Sequence, residues 1–187
     1  MNRPSKEKHR PIEEYGDYLR LLTSMQLGSR MRGKLNESDI VQQTVLEACR
    51  NENQFKGQTE TERLAWLRAV LANVIAGTAR HYSTQSRNVG REYSLEAELN
   101  LSASRLERAL TADQTSPSGH VVRAEEVLAL AKALSQVSED QREVLELHHL
   151  KGMPLAEVAT QVGKSRPAVA GLLFRGLRKL RELMGPA

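Results

Sequence analysis

The sequence predicts an all-α protein: two small helical domains joined by a flexible linker, the second containing a helix-turn-helix. Three observations carry this. Aromatic residues make up only 4% of the 187 residues, a composition that suits Leu/Ala/Val-packed helices rather than a β-sandwich. Apolar residues recur at helical spacing in two separate blocks. Between the blocks, over 87–123, the period fails and Ser, Thr, Pro and Gly accumulate.

Residues 1–12 (MNRPSKEKHRP and Ile12) are polar with no apolar segment behind them, so they read as a disordered basic tail, not a secretory signal. No run of 18 apolar residues is present, so no membrane span is expected. The single cysteine, Cys49, excludes an internal disulfide and a thiolate zinc cluster, which points to the cytoplasm.

The first domain is expected over 13–86. Leu19, Leu22 and Met25 mark one helical face. In the next helix Ile40, Val41, Thr44, Val45 and Ala48 share a side, with Ser38 as N-cap and Asp39 in the first turn, where the helix dipole favours a carboxylate. A loop over 53–59 holds Gly57. Leu64, Leu67, Leu71, Val74, Ile75 and Thr78 then define a long helix reaching about Tyr82. The stretch 87–123 reads as an interdomain linker with one transient helix, the alternative being a mobile arm of either domain.

The second domain is expected over 124–187. Val127, Leu130 (or Ala131) and Leu134 form one helix. Ser138 to Gln141 is a capping box opening the next, which carries Val144, Leu147 and Leu150 and stops at Gly152 before Pro154. From Leu155 as first position of a helix-turn-helix, Ala159 is fifth, Gly163 ninth and Val169 fifteenth. The fifth must be small where two helices cross, the ninth must accept a left-handed turn, and the fifteenth is buried. Ser165 caps the second helix, Pro167 lies in its first turn, and Val169, Leu172, Leu173, Leu177, Leu180 and Met184 form its inner stripe. His148 and His149 are adjacent, point in different directions on a helix, and lack ligands at metal spacing. No cofactor or metal is expected, and no catalytic cluster.

The formal net charge is +4, which matters only where it is concentrated. From Val162 to Ala187 six basic residues face one acid, whereas from Ala124 to Gln161 seven acids face three bases. The positive charge thus sits on the helix that would enter a DNA major groove. Standing alone, the bland reading is a solvated charged helix.

Two blocks of residues then resemble a known family. They are Asp39-Ile-Val-Gln-Gln-Thr-Val-Leu-Glu-Ala48, Phe55-Lys-Gly57 and Trp66-Leu-Arg-Ala-Val-Leu-Ala-Asn73 in the first. In the second they are Leu134 to Val144, Gly152 to Ala159 and Arg175-Gly-Leu-Arg-Lys-Leu-Arg181. In this order, with a linker between, they resemble the extracytoplasmic-function (ECF) group of the sigma-70 family of bacterial RNA polymerase sigma factors. The likeness spans about 15–87 (region 2) and 126–184 (region 4).

The resemblance implies a non-enzymatic initiation subunit. Its partners would be core RNA polymerase, through the clamp helices of the largest subunit, and promoter DNA. An anti-sigma factor is typical of the group, although no residue here identifies one. Asp39, Gln42, Gln43 and Glu47 would dock on the polymerase, Gln43 standing where an acid is common. Phe55 would receive an unstacked base of the minus-ten element, or else fill the small core. Asn73 and Arg80 would lie near the same strand, with Arg63, Arg68, His81, Arg87 and Arg91 following phosphates. Trp66, on its helix face, reads as core, the alternative being a role in strand melting. In the recognition helix Ser165, Arg166, Ala170, Gly171, Phe174, Arg175, Arg178 and Lys179 would meet the minus-thirty-five element. Arg166 and Arg175 would read bases while Arg178 and Lys179 hold phosphates. The competing interpretation is a stand-alone helix-turn-helix regulator with an N-terminal sensor or dimerisation domain. A hydrolase or metal enzyme finds no supporting residues.

Overall fold

A computed structural model describes residues 10–27, 36–82, 95–105 and 124–185, with side chains through 78 in the second of these stretches. Most of the expected basic tail and most of 87–123 lie outside the described residues. The chain divides into two compact units, Met1–Leu101 and Ser102–Ala187. Helices and turns make up both, with no strand among the described residues.

In the first unit a 3-10 turn, Ile12–Tyr15, leads into α1, Gly16–Gln26. Leu19 and Leu22 are fully buried and Met25 nearly so, as the spacing predicted. Helix α2 spans Glu37–Asn51, and its cap is Asn36 rather than the expected Ser38: Asn36 Oδ1 accepts from Ser38 N at 3.1 Å. The side-chain amide of Asn36 satisfies an orphan N–H two residues on, which places Glu37 and Asp39 together in the first turn. Ile40, Val41, Thr44 and Ala48 turn inward and Val45 sits at the edge.

Helix α3, Glu60–Tyr82, opens on a capping box the sequence reading missed. Thr59 Oγ1 accepts from Glu62 N at 3.2 Å, and Glu62 Oε2 accepts in return from Thr59 N at 3.0 Å. Leu64, Leu67, Leu71 and Ile75 form its buried stripe, and α2 packs against both α1 and α3. Helix α4, 95–105, falls inside the expected linker. In it Leu99 is fully buried, and Arg68 Nε donates to Asn100 Oδ1 at 2.8 Å.

In the second unit α5 spans Ala124–Ser135 and α6 spans Glu139–Leu145. The expected capping box is present, with Ser138 and Gln141 bonding each other's backbone N–H. Helix α6 then widens into a π-type turn, Glu146–Leu150, before Gly152 at φ +69°. The wider turn reduces the angle between consecutive side chains. His148 and His149 therefore meet edge to face at 4.9 Å instead of diverging. His148 Nδ1 lies 2.7 Å from the Met153 carbonyl oxygen. Two helices complete the unit, α7 (Leu155–Gln161) and α8 (Arg166–Met184), with α8 packed on α5, α6 and α7.

Candidate nucleic-acid interface

The turn between α7 and α8 is built by the three positions the spacing singled out. Ala159 is buried where the helices cross, Gly163 takes φ +66°, and Val169 is fully buried. Lys164 N donates to Ala159 O at 3.0 Å, closing α7 in the manner of a glycine-terminated helix. Ser165 Oγ accepts from Ala168 N at 3.3 Å and so starts α8. One position of the expected inner stripe departs: Met184 is 37% exposed at the last turn of α8. Gly176 was not foreseen as a packing residue. A Cβ there would come within 2.9 Å of Leu145 Cδ1, so α8 approaches α6 through a glycine. Its place in the series Val169, Leu173, Gly176, Leu180 is the signal that could have found it.

The opposite face of α8 is open. Arg166, Ala170, Phe174, Arg175, Arg178 and Lys179 are exposed, as is the capping Ser165, and Gly171 is half-buried among them. Phe174, 69% exposed, is the most exposed large apolar side chain described. The Arg175 guanidinium folds back over Gly171, where a Cβ would come within 3.1 Å of Nη1. Arg178 and Lys179 share Glu182 at 3.7 and 3.6 Å, and Lys164 pairs with Asp140 at 3.1 Å. Such exposed pairs contribute at most about 1 kcal/mol, so a phosphate can replace the carboxylate. Arg166 and Arg175 carry no ion pair among the described residues.

In the first unit, α2 turns Asp39, Gln42 and Gln43 to solvent, with Glu47 partly covered and Leu46 52% exposed among them. Gln43 Nε2 donates to Glu47 Oε1 at 2.9 Å, and Arg50 Nη1 reaches the same oxygen at 3.1 Å. Glu47 is thus partly neutralised on its own helix.

The loop between α2 and α3 presents Phe55 half-buried rather than free. Its ring lies 5.3 Å from the Trp66 ring and 5.1 Å from the Arg63 guanidinium carbon. Arg63 also lies 5.6 Å from Trp66 and 6.0 Å from Tyr15, and it pairs with Glu52. At 1% exposure Arg63 cannot follow phosphates, which corrects the expectation drawn from counting charges. Arg68, engaged by Asn100 and by the Tyr18 hydroxyl at 2.9 Å, is likewise committed to the fold. Trp66 is half-buried beside Phe55, at the margin of the core rather than within it. The Tyr15 hydroxyl donates to Glu60 Oε1 at 2.6 Å. Burial, then this bond, push its ionisation well above the ordinary tyrosine value. Asn73 is exposed on α3. Arg80 lies in the same helix with its side chain outside the described set, as does His81; Arg87 and Arg91 lie outside the described residues altogether.

No helix among the described residues is long and apolar enough to cross a membrane, and no described group of His, Cys, Asp or Glu could hold a metal ion. The family model for sigma-70 region 4 matches residues 128–180, from within α5 through most of α8. The chain is 28% identical over 157 residues to the ECF RNA polymerase sigma factor BldN of Streptomyces coelicolor, covering 83% of this chain and 53% of BldN. It is 29% identical over 143 residues to the ECF RNA polymerase sigma factor SigL of Mycobacterium tuberculosis, covering 76% of this chain and 71% of SigL. The chain therefore spans about half the length of BldN. A solved structure of the sigma factor RpoE with the anti-sigma factor NepR from Bartonella quintana aligns with a TM-score of 0.35 at 18% identity, over 92% of this chain and 93% of that one.

Proposed function

We propose that the chain is a member of the extracytoplasmic-function group of the sigma-70 family, to which it is similar, and a dissociable initiation subunit. It binds core RNA polymerase and directs promoter recognition and melting, and it acts in the cytoplasm without catalysing a reaction itself. One observation separates this from a stand-alone regulator. The likeness to ECF sigma factors runs over 76–83% of the chain, well beyond the helix-turn-helix that any regulator would share.

The residues divide the work by unit, which supports domain roles of region 2 for 13–86 and region 4 for 124–187. On α2, Asp39, Gln42, Gln43 and Glu47 form the docking face for the polymerase clamp helices. The Phe55 loop, with Asn73 and Arg80 on α3, takes the displaced minus-ten strand. Base–aromatic stacking of about 1–3 kcal/mol offsets part of the cost of unstacking.

On α8, Arg166 and Arg175 face the bases of the minus-thirty-five element, and Ser165, Ala170, Gly171 and Phe174 line the surface between them. Arg178 and Lys179 exchange Glu182 for phosphates. Each such exchange releases a counterion and adds about 0.9 to the salt slope. A partner that holds the free chain inactive, of the anti-sigma class, is part of this reading.

Binding of the purified chain to core RNA polymerase tests the proposal. Tight one-to-one association, weakened when Asp39 and Gln42 are both changed to Arg, supports it. Sequence-specific DNA binding with no measurable affinity for core would favour the regulator.

A further inference from the structure

Among the described arginines of its unit Arg63 is the one sealed from solvent, and its setting is costly. Its Nε is buried with no hydrogen-bond partner among the described residues. Its ion pair with Glu52 is sealed on the arginine side and open on the other, at 2% and 51% side-chain exposure. Buried pairs of this kind are often no more stable than apolar residues of similar volume. A methionine would fill the same space among Tyr15, Phe55 and Trp66 at lower desolvation cost. What it would lack is a rigid, charged plate that attracts ring faces and holds a carboxylate by a fork.

The surrounding loop is fixed at both ends. Glu52 precedes it and is gripped by Arg63. At the far end Glu62 Oε2 accepts from Gln58 N at 2.8 Å, from Thr59 N at 3.0 Å and from Thr59 Oγ1 at 3.0 Å. In the middle the Phe55 ring is bounded by Gly57, Trp66 and Arg63. Behind Arg63, Tyr15 is tied to Glu60.

We infer that Arg63 is a positioning residue for strand capture: it joins Glu52 to the Phe55 ring and holds that ring, before DNA arrives, in the pose a flipped base stacks on. The inference rests on the reading that the Phe55 loop receives the promoter strand. Its consequence is that Arg63 acts on the single strand without touching it. Pre-ordering the loop removes an entropy cost that would otherwise fall on the capture step.

The test uses the full chain bound to core RNA polymerase. The probe is a single-stranded 12-mer selected from a random pool by the wild-type complex. Four variants are compared: Phe55→Ala, Glu52→Gln, Arg63→Lys, and the pair Glu52→Gln with Arg63→Met, which removes both charges together. Thermal midpoint and affinity for core report folding. In the free chain, emission of Trp66, its only tryptophan, reports the stack.

The paired variant should melt within a few degrees of wild type and bind core normally. Its strand affinity should fall about tenfold, within the range one base–aromatic stack contributes, and its Trp66 emission should shift. Arg63→Lys should fall between. If the Arg63 variants do not fold, Glu52→Gln decides, because its side chain is half exposed and its loss of about threefold or more still requires the grip on the loop. Wild-type strand affinity in Glu52→Gln and in the folded paired variant, with Phe55→Ala impaired, overturns the role of Arg63 alone. Wild-type affinity in Phe55→Ala, or no strand selected at all, overturns the underlying reading instead.

Discussion

The Phe55 ring lies on the backbone of Gly57. A Cβ at position 57 would come within 2.7 Å of Phe55 Cε2 and 2.9 Å of Glu62 Cβ, so the glycine is the space the ring occupies. The Gly57→Ala variant should displace the ring while leaving the helix-turn-helix of the other unit unchanged. Overpacking of this kind typically costs about 1–3 kcal/mol. Transcription from duplex templates should fall more than affinity for core, which parallel titration of both checks.

On α8 the two classes of arginine should separate. Arg175→Ala should cost about 1–3 kcal/mol on the preferred promoter and little on others. Arg178→Ala should weaken all sequences alike and flatten the salt slope by about 0.9. Affinities measured across a salt series on specific and scrambled duplexes distinguish them. Equal effects of both variants on both duplexes would contradict the assignment.

Gly171 bears on the same surface. A Cβ at 3.1 Å from Arg175 Nη1 moves the guanidinium by a few tenths of an ångström. Gly171→Ala should therefore alter promoter preference through Arg175 with no loss of thermal stability. A selection from randomised duplexes with each holoenzyme reads the change.

The buried Gly176 predicts a different outcome. Its Cβ would meet Leu145 Cδ1 at 2.9 Å and Gln141 Cβ at 3.4 Å. Gly176→Val should destabilise the second unit by about 1–3 kcal/mol through overpacking. DNA affinity should fall only as far as the folded fraction does, which calorimetry and binding at two temperatures together check.

Tyr15 gives the first unit an alkaline limit. The folded-state ionisation lies above the unfolded value near 10, so between the two the unfolded chain has lost a proton that the folded chain keeps. Stability is then fully present below pH 10 and falls as pH rises through the window above it. Tyr15→Phe removes the hydroxyl bond to Glu60 and should abolish this alkaline slope while lowering stability at neutral pH. Melting curves from pH 8 to 11 decide it.

Much of this was legible in the chain. Helix faces announced themselves by period, and the turn before α8 by Ala159, Gly163 and Val169, because local sterics admit few residue types there. Three things were not legible. Helix α4 arose where period was weak, since only Leu99, Ser102 and Ala103 of its described residues are buried and Arg68 supplies the polar tie to Asn100. The burial of Arg63 defied the rule that arginines face water, because Glu52 and three rings come from separate stretches of chain. The cap of α2 moved to Asn36 because its side-chain oxygen accepts from the N–H of Ser38 itself, which starts the helix two residues earlier than a Ser38 cap would.

Run-off transcription with purified core RNA polymerase, the full chain and genomic template tests the central claim most directly. The account predicts discrete transcripts that appear only when the chain is added, and that Phe55→Ala loses on duplex templates but largely retains on templates melted beforehand. No chain-dependent transcript, from a chain that still binds specific duplex DNA, would contradict it.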